Sequence, residues 1–271
     1  MTATQGFVVA ALLLGVGVSL GPLMRRASAW LLGATPERAA GFRPTDLLIV
    51  ALAFILSQVL VVETYRLWVG VKELDIESLG VIPALGLSVA SQGLAAGVVL
   101  VLALRREGGA ATLGLCALTP GARGAFAGVC YLLSIPTLMG LGALTAAISA
   151  AQGEGPPVQG VAVLVGEGLA ENPLLIGAMV ALVIPLLEEI LFRGFLLEML
   201  VSRAGAAAGV VASSALFALL HGTSVFLPIF GLALVLACVK LRTRSLGAAW
   251  AIHALHNGAT TFFIVSGGLP A

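Results

Sequence analysis

Residues 79–104 read LGVIPALGLSVASQGLAAGVVLVLAL and carry no charged side chain. A helix of about 20 apolar residues is long enough to cross the roughly 30 Å hydrocarbon core of a bilayer. In lipid every backbone polar group must bond within the protein, so a continuous apolar run crosses as a helix. Similar runs recur along the chain, and the predicted spans are 6–24, 47–62, 79–104, 124–151, 173–196, 205–221, 226–241 and 246–266. The sequence therefore predicts an all-α fold, a polytopic transmembrane helix bundle of about eight membrane helices.

The composition agrees with this class and excludes others. Of the 271 residues, 59% are hydrophobic and only 10% are charged, whereas a soluble domain carries about 25% charged residues. The net charge of +1 comes without a basic tract that could neutralise phosphates, which excludes a nucleic-acid partner. The three cysteines lack the spacing of a structural zinc site. The excess of arginine over lysine, with many alanines and glycines, is typical of a bacterial protein.

The charges between the spans predict how the chain is threaded. Basic and non-basic connections alternate without a break. The basic ones are 25–46, 105–123, the turn at Arg203 and 240–244, and the others are 63–78, 152–172 and 222–225. Basic residues concentrate on the cytoplasmic side of membrane proteins. The first run is followed, not preceded, by basic residues, the reverse of a cleaved signal peptide. We predict a multi-pass protein of the inner (plasma) membrane with both termini outside the cytoplasm.

The fifth span departs from the apolar pattern. Residues 185–194 read PLLEEILFRG and place two carboxylates and a guanidinium within six residues. A charged side chain near the bilayer centre costs about 2.5–3.5 kcal/mol on insertion scales, so such residues are usually functional. Glu189 and Arg193 are four residues apart and can pair on one helix face. Glu188 points about 100° away around the helix and lacks that partner.

All three histidines lie in the same third of the chain, at His221, His253 and His256. The fifth and sixth spans form a predicted hairpin that turns near 204–205. Glu188 and His221 each lie about 16 residues from that turn, or about 25 Å at 1.5 Å per residue, and so at equal depth. Asn257 follows His253 by one helical turn. We therefore expect Glu188, His221, His253 and Asn257 to meet in one membrane cavity.

This set of groups can hydrolyse a peptide bond. A carboxylate beside a neutral histidine can deprotonate a water molecule, and an imidazole N–H with an amide can stabilise the resulting oxyanion. Two alternatives stay open. Glu188, His221 and His253 could bind zinc in a metal-dependent membrane protease, although HExxH is absent. The same polar cavity could belong to a transporter or a non-catalytic scaffold, although the polar residues occupy one half of the chain, unlike the inverted repeats of transporters.

The order of these residues resembles a known family. Glu188-Glu189-xxx-Arg193, Phe217-xxx-His221 and His253-xxx-Asn257 are similar to the three motifs of the CPBP (ABI) family, which includes CAAX prenyl endopeptidases and bacteriocin-processing proteins. The similarity covers about residues 175–260.

The resemblance implies a glutamic-type intramembrane protease without a cofactor or a metal. Glu188 and His221 would activate water, His253 and Asn257 would form the oxyanion hole, and Glu189 and Arg193 would support the site. The partner would be a membrane-associated protein or peptide substrate. We predict a lineage-specific N-terminal part, 1–160, with helices 1–4, and a catalytic core, 161–271, with helices 5–8. His256 lies outside the motifs, and we expect it to pack beside the site.

Overall fold

The computed structural model describes most of the chain. The described residues are 2–32, 41–75, 79–106, 108–115, 121–155, 157, 165–166, 168–169, 172–263 and 266, with the backbone alone for 23–32, 110 and 112. Several of the loop charges used to predict the threading, such as Arg38 and Glu171, lie outside this part or are described without a side chain.

The described residues form long helices and no strand. The first helices are α1 (Ala3–Leu32), α2 (Pro44–Val69), α3 (Val81–Leu104) and α4 (Ala122–Ala151), and the last two are α7 (Phe226–Thr243) and α8 (Leu246–Phe263). Between them lies the helical range Pro173–Leu220. Short 3-10 turns cover Gly109–Leu113 and Thr223–Val225. The predicted all-α helix bundle is confirmed.

The range Pro173–Leu220 is a hairpin of two helices. Gly205 has φ 82° and ψ 168°, a backbone conformation that glycine adopts without steric cost. A Cβ atom on Gly209 would lie 2.6 Å from the backbone nitrogen of Val201, so the chain runs back against itself after the turn. We name residues 173–204 α5 and residues 206–220 α6. The predicted turn near Gly205 is therefore present.

The bundle has the exterior of a membrane protein. Large apolar side chains such as Trp68, Leu174 and Phe262 are 79%, 86% and 74% exposed, and many others are exposed as well. The surface of a water-soluble protein rarely exposes so many large apolar side chains. Six ranges are long and apolar enough to cross a membrane, with Pro173–Leu220 counted as one and α8 not among them. The chain is a multi-pass membrane protein, and the number of eight spans is approximate.

The core that positions the site is formed by α3, α5 and α6. Small residues of α3, among them Ala95, Ala96 and Val99, are buried against Phe192 of α5 and Phe217 of α6. Small side chains allow membrane helices to approach closely. The N-terminal half of the chain therefore packs directly against the helices that carry the predicted catalytic residues.

One end of the bundle is held together by charged side chains. Asp46 at the start of α2 pairs with Arg106 after α3, and Arg203 donates to the carbonyl oxygen of Phe42 at 3.1 Å. Glu198 of α5 accepts from Lys240 at 2.9 Å and from Arg244 at 2.8 Å. The segments predicted to be cytoplasmic thus meet at a common end.

The Glu198 contacts change the interpretation of one of the basic residues, Lys240. Lys240 is only 1% exposed and Glu198 6%, so Lys240 is a buried ion-pair partner and not a free loop charge. Buried ions are tolerated in proteins when they are paired in this way. Glu198 was missed by the sequence analysis because its partners are more than 40 residues away.

A reporter experiment tests the predicted threading. An alkaline phosphatase fused after Ala271 should be active, because both termini are expected outside the cytoplasm, whereas the same enzyme inserted near Arg106 should be inactive there. Green fluorescent protein at the two positions serves as the control and should give the opposite result. Reversed activities at both positions would contradict the orientation, which rests on the positive-inside rule.

Candidate active site

Helix α5 is irregular where it carries the predicted catalytic residues. Two π-helical segments, Met179–Val183 and Ile190–Leu196, flank the α-helical turn Ile184–Glu189. Such π segments are rare and frequently occur at functional sites. Within the first, the N–H of Ile184 donates to the carbonyl oxygen of Met179, five residues back. Continuing this pattern would pair residue 185 with Val180, but residue 185 is proline and has no N–H.

Asn257 takes the place of the missing donor. Its side-chain Nδ2 donates to the carbonyl oxygen of Val180 at 3.1 Å. Pro185 therefore leaves a carbonyl free on α5, and an amide from α8 pairs with it. This contact fixes the orientation of the Asn257 side chain, and one hydrogen of its NH₂ group remains for another acceptor.

Glu188 lies between two histidines. Its Oε1 is 3.7 Å from Nε2 of His221, and its Oε2 is 3.6 Å from Nε2 of His253. These distances exceed those of direct hydrogen bonds. His221 closes α6, and its Nδ1 donates to the carbonyl oxygen of Phe217 at 2.8 Å. The neutral form of His221 therefore presents an unprotonated Nε2 towards Glu188.

Glu189 and Arg193 form the buried support of this group. Glu189, Arg193 and His253 are 0%, 2% and 3% exposed. Oε1 of Glu189 lies 2.9 Å from Nη1 of Arg193 and 2.9 Å from Nδ1 of His253. The guanidinium of Arg193 also lies over the ring of Phe217, 4.4 Å from its centre, a favourable cation–π contact. The predicted pair of Glu189 and Arg193 is present, and Glu189 additionally orients the His253 ring.

The four predicted catalytic residues line one cavity. Glu188, His221, His253 and Asn257 surround a space of about 240 Å³ whose other walls are mainly apolar. A second space of about 450 Å³ shares Glu188 and His221 and extends towards α2, where it is lined by residues that include Phe54, Gln58 and Val62. The predicted convergence of the four side chains is therefore observed, while their roles in a reaction stay predictions.

Two polar residues at this site were not predicted from the sequence. Ser88 and Gln92 of α3 line both spaces together with Glu188 and His221. Their only signal in the sequence is two polar side chains one helical turn apart in the uncharged run 79–104. His256, by contrast, contacts the hydroxyl of Tyr131 through Nδ1 at 3.2 Å, and it packs beside the site as expected.

The chemistry open to this arrangement is hydrolysis by an activated water. Two carboxylates, a guanidinium, two imidazoles and an amide meet inside a bundle with an apolar exterior, where unpaired polar groups are costly. In the described part of the chain, no group of three His, Cys, Asp or Glu side chains is arranged to hold a metal ion. A carboxylate between two imidazoles, with an oriented amide on the same cavity, is suited to acid–base chemistry with fixed hydrogen-bond donors.

Comparison with known proteins identifies the family of this segment. Residues 170–259 match the family described as Type II CAAX prenyl endopeptidase Rce1-like. Neither the curated proteins nor the solved structures give a match to the chain. The matched segment runs from the start of α5 almost to the end of α8 and contains all seven residues named in the three motifs, which confirms the resemblance drawn from the sequence. Over this segment the chain is similar to the Rce1-like family of membrane endopeptidases.

Proposed function

We propose that this protein is a glutamic-type intramembrane endopeptidase that hydrolyses a peptide bond of a membrane-associated protein or peptide. The observation that carries the proposal is the position of Glu188. Its two carboxylate oxygens face His221 and His253 at 3.7 and 3.6 Å, in a cavity that Asn257 also lines. A base and two candidate donors thus surround a single space.

The first step is the activation of water. A water molecule beside Glu188 Oε1 and His221 Nε2 contacts two proton acceptors, since Nδ1 of His221 already donates to Phe217. As the water oxygen attacks the scissile carbonyl carbon, its proton passes to this pair. When the carbon–nitrogen bond breaks, the same proton is delivered to the leaving amine. The products are a new carboxylate and a new amino terminus.

The second part of the mechanism is the stabilisation of the oxyanion. Nδ1 of His253 lies against the Glu189 carboxylate, so a donor role for Nε2 needs a doubly protonated ring. That state balances the charges, because the carboxylates of Glu188 and Glu189 then face Arg193 and the His253 imidazolium. The second hydrogen of the Asn257 amide supplies another donor. Such fixed donors are worth the most in a site without bulk water.

The substrate class follows from the family and the surroundings. The family's description names a CAAX prenyl endopeptidase, and the cavity lies among helices with apolar exteriors. In a bacterial inner membrane the candidates are leader peptides, bacteriocin precursors, membrane-anchored regulators and C-terminal anchors. We place both termini outside the cytoplasm, and we retain the division into an N-terminal part, 1–160, and a catalytic core, 161–271, as part of the proposal.

A peptide panel tests the proposed activity. The purified protein is reconstituted in lipid vesicles with a farnesylated CAAX peptide, its unlipidated counterpart and a transmembrane peptide with a leader segment, and new termini are identified by mass spectrometry. We expect the wild type to cleave at least one membrane-bound peptide and His221→Gln to cleave it far more slowly. His256→Gln, a histidine variant outside the cavity, is the matched control. A wild type that leaves every peptide intact overturns the proposal.

The role of Pro185 can be tested by restoring a backbone donor. In Pro185→Ala, the new N–H can bond to the carbonyl oxygen of Val180 and compete with Asn257. We expect turnover to fall by roughly three- to tenfold, the scale of one displaced hydrogen bond. The double variant with Asn257→Ala should be no slower than Asn257→Ala itself, because the two changes act on one contact. Independent, multiplied losses would show that Pro185 acts elsewhere.

A further inference from the structure

Helix α3 contributes a polar pair to the cavity from outside the segment that matches the family. Ser88 and Gln92 lie one helical turn apart, and both line the two spaces that Glu188 and His221 also line. The family match begins at residue 170, so neither residue belongs to it. Polar side chains in a membrane helix usually face a functional interior.

The amide of Gln92 has a fixed orientation and an unused acceptor. Its Nε2 donates to Oγ of Ser88 at 2.9 Å. Its Oε1 is buried and has no hydrogen-bond partner among the described residues. Almost all buried polar atoms in folded proteins are paired, and an unpaired one lowers stability. An oxygen held in this state beside a reactive cavity is suited to accept from a ligand.

A peptide substrate carries the donor that this oxygen lacks. A peptide bond that is to be cleaved must leave its helix and become extended, which frees its backbone N–H groups. In a cavity without bulk water each freed N–H needs an acceptor. Glu188, His221, His253 and Asn257 are assigned to the water and the oxyanion. Gln92 Oε1 is already oriented and has no partner among the described residues, so it is an acceptor available to the substrate backbone.

We propose that Gln92 binds the substrate by accepting a backbone N–H close to the scissile bond through Oε1, while Ser88 holds the Gln92 amide in place. This inference rests on the proposed peptidase activity. It gives α3 a direct part in substrate binding. Because the contact exists for the bound peptide throughout the reaction, its loss should raise KM and leave kcat nearly unchanged.

The experiment removes the hydrogen bond from each side in turn. The probe is the panel peptide that the wild type cleaves, together with versions in which a single backbone N–H on either side of the scissile bond is replaced by an ester oxygen, the scissile bond itself staying an amide. For the wild type, one ester position should raise KM roughly three- to tenfold. For Gln92→Met, the amide peptide should show a similar rise, and the same ester should add nothing.

The controls separate this role from a structural one. Ser91→Ala changes the neighbouring buried residue, whose hydroxyl bonds to its own helix at Ser88 O, and should keep the wild-type response to the ester. If Gln92→Met does not fold, Gln92→Asn, which withdraws the oxygen by one methylene group, is measured in its place with the same expected result. If the ester raises KM equally in the wild type and in Gln92→Met, the inference is wrong, whereas the proposed peptidase activity is not contradicted. A wild type that cleaves no peptide overturns both.

Discussion

Glu188→Gln should lower kcat for the cleaved peptide by about 10²–10⁴, the contribution of a positioned acid–base group. Glutamine has nearly the same shape as glutamate, but its amide cannot take a proton from water. Glu188 is the carboxylate that lies between His221 and His253, at 3.7 and 3.6 Å. A neighbouring side chain therefore does not replace its negative charge at this position. Glu189 is already bound to Arg193 and His253.

The measurement is a steady-state comparison of the purified wild type and Glu188→Gln in the same vesicles. KM should change little, because the substitution removes an interaction made in the transition state. Thermal unfolding and membrane insertion should match the wild type, since Glu188 makes no direct hydrogen bond to the described residues that the substitution would remove. His256→Gln should retain normal turnover. A Glu188→Gln protein with near wild-type kcat rules out Glu188 as the group that activates water.

Asn257→Ala should lower kcat by about 10²–10³, the loss expected on removing one oxyanion donor. The structure adds a second consequence, because the substitution also removes the donor to the carbonyl oxygen of Val180. An unpaired buried carbonyl costs about 1–3 kcal/mol, so we expect lower thermal stability as well. Substrate binding should be largely intact, since the oxyanion exists only after the attack of water.

Chelation distinguishes this result from a metal mechanism. If Glu188, His221 and His253 were zinc ligands, Asn257→Ala would have a smaller effect, because an amide is a poor zinc ligand. The wild type would then lose activity with a chelator and regain it with stoichiometric zinc. We expect the opposite results. Asn257→Ala should have a strongly reduced kcat, and the wild type should keep its turnover after exhaustive chelation. Metal content is measured in the same samples.

The equal depth of Glu188 and His221 could be predicted because it depends on local geometry. Both residues lie on helices joined by the tight turn at Gly205, and the rise per residue of a helix is fixed. Counting residues from the turn therefore placed the two side chains at one level. The pairing of Glu189 with Arg193 is equally local, since the residues are four apart on one helix.

Contacts between segments far apart in the sequence could not be predicted by counting residues. Glu198 pairs with Lys240 and Arg244, and both partners lie across a helix interface. The π segment before Pro185 places the Val180 carbonyl opposite Asn257, and no sequence period signals that change of pitch. Gln92 reaches the cavity because small residues of α3 pack against Phe192 and Phe217. Such packing is decided by the whole bundle.

The most direct test of the account is cleavage of the peptide panel by the metal-free wild type in vesicles, with the new termini read by mass spectrometry. We expect one new amino terminus and one new carboxyl terminus in a membrane-bound peptide, at a rate unaffected by chelation and reduced by about 10²–10⁴ in Glu188→Gln. Intact peptides with the wild type, or equal cleavage by Glu188→Gln, would contradict it.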